Sequence, residues 1–223
     1  MAVCDKGRGV KIMKAARILA ALQLAVLLLS LPVAGYAETA QERAAYCKNC
    51  HGDSGQGFHG YYTAPRLAGQ QVQYFLNAFK ALADHTRDDP LAKQFMYAAE
   101  GSVEPRLWKG LAQYFNSLKA PPAANGPRHL ISAGKRIYED GVPSQNVPAC
   151  VACHGPDAKG EGANPRLAGQ QYSYLADQLN GWSKGYRSKD PASPREQNVM
   201  SAFATSLTRD QISAVAAYLS HQR

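Results

Sequence analysis

Two pentads, Cys47-Lys48-Asn49-Cys50-His51 and Cys150-Val151-Ala152-Cys153-His154, place a pair of thiols and an adjoining imidazole at the same spacing twice, 103 residues apart. That spacing suits covalent attachment of haem: two thiols add across the two vinyl groups of one porphyrin, and the neighbouring imidazole is set against the iron. Other uses of cysteine pairs fit less well. A zinc site would pool the two pairs as four thiolates and leave both histidines unexplained. A thioredoxin-like pair belongs at a strand-to-helix junction, and neither flank reads as a strand. A disulfide needs neither a following histidine nor a copy. The expected cofactors are therefore two covalently attached haem c groups.

The fifth cysteine, Cys4, precedes an apolar run. Lys6, Arg8, Lys11, Lys14 and Arg17 form a basic segment, Ile18 to Leu31 an apolar one, and Gly35-Tyr36-Ala37 offers small residues for cleavage. This order predicts a signal peptide over residues 1–37, cleaved after Ala37, with Met13 an alternative start. The apolar stretch is 14 residues long before Pro32, short of the roughly 20 needed to cross a bilayer. The expected location is the periplasm, with attachment to a membrane surface left open. The segment carries five of the 25 basic residues and one of the 17 acidic ones, so the formal +8 becomes +4 for the remainder. Four ionised propionates would bring the loaded protein near neutrality. No basic cluster with interleaved aromatics follows Ala37, which argues against a nucleic-acid partner.

The remaining chain is a duplicate. Pro65-Arg66-Leu67-Ala68-Gly69-Gln70-Gln71 recurs letter for letter as Pro165-Arg166-Leu167-Ala168-Gly169-Gln170-Gln171. Tyr74 and Tyr174, and Arg87 and Arg187, keep the same offset; Met96 and Met200, and Tyr114 and Tyr218, are displaced by 104. Closely spaced prolines and a glycine between Lys119 and Pro127 forbid a continuing helix. The expected division is a first domain over 38–120, a linker over 121–127 and a second domain over 128–223.

The pattern within each half is helical, and no alternating strand stands out, so the fold class is all-α. Val72, Phe75, Leu76, Phe79 and Leu82 paint one stripe; Tyr172, Leu175, Ala176, Leu179 and Trp182 repeat it. A helix beginning near Pro105 should bury Leu107, Leu111, Tyr114 and Leu118. Its counterpart starts at Thr208, with Gln211 completing a capping box, and should bury Ile212, Val215 and Leu219. The second half opens on a helix over 132–139 whose Gly134 and Tyr138 allow close packing on the terminal helix. The first half should open on a shorter helix without such a glycine. Domains this small have limited cores, so each haem is expected to complete its own half, and losing it should unfold that half.

A sixth iron ligand follows by elimination. After the cleavage position only Met96 and Met200 remain as methionines, 45 and 46 residues beyond His51 and His154. Thioether sulfur suits haem iron, and methionine opposite histidine raises the reduction potential; core filling is the competing use. His59, His85, His129 and His221 have no counterpart in the other half and read mostly as surface residues.

Taken together, the paired motifs, the repeated P-R-L-A-G-Q and the two methionines ahead of terminal helices resemble the dihaem cytochrome c4 family over nearly the whole chain after Ala37. The resemblance implies two tandem monohaem cytochrome c folds related by an approximate twofold axis, with propionate edges facing one another. It implies axial pairs His51 with Met96 and His154 with Met200, and Pro65 and Pro165 carbonyls accepting the Nδ1 protons of those histidines. Arg66, Arg166, Arg87, Arg187, Gln70, Gln170, Tyr74 and Tyr174 are candidates for holding propionates; solvent exposure of the arginines and ordinary packing of the tyrosines are the competing readings. The segment after Met96 departs from the family pattern more than that after Met200.

With both axial positions filled, neither iron offers a site to substrate, so the expectation is electron transfer rather than catalysis: a shuttle between a donor complex and an acceptor such as a terminal oxidase. One alternative is the dihaem subunit of a periplasmic dehydrogenase, resembling that of flavocytochrome c sulfide dehydrogenase. A second is a peroxidase or gas-binding haem protein, which needs an open iron.

Overall fold

A computed structural model describes residues 37–187 and 194–223, with side chains not described for 194–198. The expected signal sequence up to Tyr36 lies outside the described residues. Glu38–Arg223 form one compact unit. Its helices are α1 (Ala40–His51), α2 (Val72–Ala83), α3 (Tyr97–Gly101), α4 (Trp108–Ser117), α5 (Ile131–Asp140), α6 (Val151–His154), α7 (Tyr172–Ser183), α8 (Pro194–Ser206) and α9 (Arg209–His221). A π-helical turn, Ala92–Met96, runs into α3, and 3-10 turns lead into α4 and α5.

Two cores form where the apolar stripes meet. In the first, Phe75 stacks on Phe79 and Phe115 at centroid distances of 5.4 and 6.0 Å, and Trp108 meets Phe79 edge-on. Leu107, Leu111 and Phe115 are buried, while Tyr114 and Leu118 pack at the margin. The second core gathers Tyr138, Leu175, Val215, Tyr218 and Leu219. Each such buried side chain contributes on the order of 1.5–3 kcal/mol. The capping box at Thr208 forms as the sequence indicates, with Gln211 returning to the Thr208 N–H at 2.8 Å. A second capping box, between Thr39 and Glu42, starts α1.

The opening helices differ from expectation in one respect. α1 spans 12 residues and runs unbroken through Cys47, Cys50 and His51, so it is not the shorter of the two. In the second half, α5 ends at Gly141, whose φ of +72° takes the chain out of the helix. A bridge between Val142 and Val147 follows before α6 begins. The same motif is thus carried by one long helix in one half and by a separate short helix in the other. The sequence also hid a two-residue antiparallel ladder, β1 (Phe58–His59) with β2 (Thr63–Ala64).

The close approach at Gly134 does occur. A Cβ there would lie 2.0 Å from the Ala214 carbonyl oxygen and 2.8 Å from Tyr218 Cβ, so α5 and α9 cross backbone to backbone. In the first half the glycine sits on the other partner: Gly110 of α4 faces Ala40 of α1, at 2.6 Å between methyl positions. Gly134→Ala is therefore expected to destabilise the second half by about 1–3 kcal/mol, the overpacking cost exceeding the roughly 1 kcal/mol gained in helix propensity. Gly110→Ala meets only one methyl on the first turn of α1 and should cost less. Denaturant unfolding of both variants checks this; equal stability of Gly134→Ala and the parent would contradict the packing.

Candidate haem sites and the interface between the halves

His51 and His154 end the helices that carry their cysteines, and both rings are buried, at 5 and 7 % exposure. Nδ1 of His51 lies 2.8 Å from the Pro65 carbonyl, and Nδ1 of His154 lies 3.1 Å from that of Pro165. A carbonyl can only accept, so the proton resides on Nδ1 and the Nε2 lone pair is available to a metal. Burial lowers the pKa of both imidazoles against the opposing pull of the proline carbonyls, which keeps the rings neutral. The thiols are unpaired; Cys47 and Cys150 are half-buried, Cys50 and Cys153 exposed. Burial pushes the Cys150 thiol up to about 11 and raises Cys47 as well, opposite to the depressed thiol of a redox dithiol. Among the described residues, no three His, Cys, Asp or Glu side chains converge as a protein-only metal site would require. Neutral, oriented imidazoles beside paired thiols fit covalent haem. Met96 closes the π-helical turn and packs against the first core; π-helical turns inside helices recur at functional positions. Met200 lies half-buried on α8. His59, His85 and His129 are exposed, and His221 is half-buried beside Ser220.

The repeated heptad does more than orient the imidazoles. Gln170 Oε1 accepts from Arg66 N at 2.6 Å while its Nε2 donates to Arg66 O at 3.0 Å. Gln70 does the same to Arg166, at 2.8 and 3.1 Å. Each side-chain amide thus pairs with the backbone of the opposite half as a strand would. The exchange is reciprocal, the signature of a twofold interface. Gln71 donates to the carbonyls of Lys159 and Gly160, and Gln171 to that of Gln56. Gly69 N bonds Phe115 O of α4, and Gly169 N bonds Leu219 O of α9, tying each heptad to its terminal helix.

Several residues expected at the propionates therefore have other partners. The amides of Gln70 and Gln170 are committed across the interface. Arg66 gives Nε to Ala68 O and Nη1 to Pro121 O, and Arg166 gives Nε to Ala168 O. These two arginines bind main-chain carbonyls and line a cavity that includes none of the cysteines or ligand histidines.

Arg87, Arg187, Tyr74 and Tyr174 do converge. Arg87 Nη2 lies 3.1 Å from both Tyr174 OH and Gln178 Oε1, and Arg187 Nη1 lies 3.0 Å from the same Gln178 oxygen. Both arginines are buried, and Arg187 Nε has no partner among the described residues. Asp89 is the carboxylate in this group, 2.8 Å from Arg87 Nε. Two buried cations against one anion leave room for another negative group, which the propionate expectation would supply. The sequence reading missed Asp89 and Gln178: Gln178 has Ala78 at the equivalent place, and the Asp89-Pro90 pair recurs as Asp190-Pro191 only out of step with Arg87 and Arg187.

A family model described as Cytochrome c matches residues 131–223. Cytochrome c4 of Azotobacter vinelandii is 31% identical over 217 residues, covering 88% of this chain and 96% of that protein. A thiosulfate dehydrogenase electron acceptor of Thiomonas intermedia is 34% identical, covering 92% of this chain and 91% of its own. A solved cytochrome c4 of Acidithiobacillus ferrooxidans superposes with a TM-score of 0.69 at 36% identity, covering 79% of this chain and 99% of that one. The fold and the paired attachment motifs define a c-type cytochrome with two covalently bound haem c groups and an electron-carrying rather than catalytic role. Within that class, the chain belongs to the cytochrome c4 family.

Burial raises the Asp89 carboxyl, but the Arg87 charge, its hydrogen bond and the Ala92 N–H outweigh it, so the net shift is downward. A carboxylate with a depressed folded pKa stabilises above its unfolded value, and that stability is lost as pH falls through the folded one. Asp89→Asn should therefore be less stable at neutral pH by roughly 1–3 kcal/mol and lose less stability on acidification below about pH 4. Parallel denaturation curves for variant and parent across that range would contradict the assignment.

Proposed function

We propose that the protein is a periplasmic two-electron relay in which Glu38–Ala120 and Arg128–Arg223 each hold one haem between histidine and methionine. His51 with Met96, and His154 with Met200, would hold the two irons. When bound, each haem supplies a one-electron ferric–ferrous couple. The chain's own residues set the conditions for it: the Pro65 and Pro165 carbonyls fix the imidazole tautomer and strengthen its donation, and the thioethers favour the reduced state. Burial of both rings limits the solvent rearrangement that accompanies electron transfer. The observation that carries this reading is the pair of Nδ1-to-carbonyl contacts in equivalent places, His51 to Pro65 and His154 to Pro165. Among the described residues, no helix is long and apolar enough to cross a membrane.

Donor and acceptor are proposed by class. Electrons arrive from a dehydrogenase or donor complex and leave to a terminal oxidase. A second reading, an electron-accepting partner of a dehydrogenase acting on a reduced sulfur compound, draws support from the Thiomonas intermedia relative. Copurification with a catalytic subunit would favour it over the free shuttle. For the ligand assignment, the oxidised protein should show the weak near-infrared sulfur-to-iron band at two equivalents per chain. Met96→Ala and Met200→Ala should each remove one. A single equivalent in the parent, or a band unchanged by either substitution, would contradict the assignment.

A further inference from the structure

The twofold relation between the heptads breaks where the linker meets them. Beside Gly169, the linker closes over the interface: Pro122 Cα comes within 2.9 Å of where a Gly169 Cβ would be, and Ala123 N bonds Gly169 O. There the Arg66 guanidinium finds an acceptor, Pro121 O, at 2.6 Å from Nη1. At the matching position beside Gly69 there is no second linker. The Arg166 side chain lies over Gly69 instead, with Cδ and Nη1 3.5 and 3.7 Å from a virtual Cβ. Its Nε bonds Ala168 O, but neither Nη nitrogen has an acceptor among the described residues.

What remains there is a cavity of about 430 Å³ whose lining includes Arg66, Arg166, Lys119 and Lys159 and no acidic side chain. Lys119 has neither an ion pair nor a hydrogen bond among the described residues; Lys159 has an exposed partner in Asp157 at 3.6 Å. The neutral lining groups are largely spent: Asn116 Nδ2 on Gln70 O, Ser117 Oγ on Tyr114 O, and Gln71 Nε2 on Lys159 O and Gly160 O. The free donors are thus cationic. Burial, and then the Arg166 charge, pull the Arg66 guanidinium down to about 10, and burial lowers that of Arg166.

We propose that this cavity binds a small divalent oxyanion of the sulfate or phosphate class, held by Arg166 and Lys119 with Arg66 and Lys159 completing the cage. The anion stands where the linker carbonyl stands in the other half, accepting from Arg166 as Pro121 O accepts from Arg66. Guanidinium and tetrahedral oxyanion match as a two-pronged, charge-assisted pair. The site is separate from both haem sites and does not depend on the redox assignment.

Isothermal titration of the dihaem protein with sulfate, at constant ionic strength in chloride, tests it. The expected result is saturable binding of about one sulfate per chain, displaced by phosphate. Arg166→Gln should weaken it by roughly tenfold or more, the scale of one lost charge-assisted contact. Lys119→Gln, on an exposed side chain, should weaken it less and gives a second reading if Arg166→Gln fails to fold. Both variants are measured after their haem absorption and helical circular dichroism match the parent. Heats that never saturate, or equal affinity in parent and variants, would overturn the proposal. So would binding of a glutamate-rich peptide with none of sulfate, which would assign the cavity to a partner protein's carboxylates.

Discussion

The structure depends on one seven-residue loop used twice. Its proline carbonyl holds the ligand imidazole, its arginine backbone pairs with a glutamine of the other copy, its glycine ties to the terminal helix, and its glutamines reach across the interface. These contacts are main-chain or amide hydrogen bonds in a largely buried setting, where a lost partner costs more than the bond contributes. A shift of this loop would therefore disturb the tautomer of its own histidine and the registry of the two halves together. That coupling gives a physical reason for seven consecutive identities in a chain whose halves otherwise diverge.

Much of the fold was legible because local chemistry decides it. The capping box at Thr208 and Gln211, the stripe along α2 and the close approach at Gly134 each follow from a few neighbouring residues. The break between α5 and α6 was not legible. It rests on a bridge between Val142 and Val147 and on the left-handed geometry of Gly141, and nothing in the motif separates a continuous carrier helix from a divided one.

The attachment residues declared themselves through spacing, whereas the roles of Arg66, Gln70 and their copies did not. In a duplicated chain an identical residue can serve two equivalent haems or one self-complementary interface, and the letters are the same in both cases. Only the contacts separate them, and they send Gln70 and Gln170 across the interface. Gln178 shows the reverse: a partner of the buried charge cluster with Ala78 at its equivalent place leaves no repeat to notice, and the Asp89-Pro90 pair recurs out of step as Asp190-Pro191. The asymmetry has a functional side. Different surroundings would give the two haems of one cytochrome c4-type chain different potentials. The aromatic hairpin of Phe58, Tyr61 and Tyr62 in the first half, set against the short Glu161 to Asn164 bridge in the second, is one such difference.

The glutamine-to-backbone pairs are expected to join the two haem-bearing halves into one cooperative unit. Calorimetric unfolding of the dihaem protein carrying Gln70→Ala and Gln170→Ala checks this. Two separated transitions, with both haems still attached, are expected in place of the parent's single one. A single transition at the parent's midpoint would show that the halves are held together by something else.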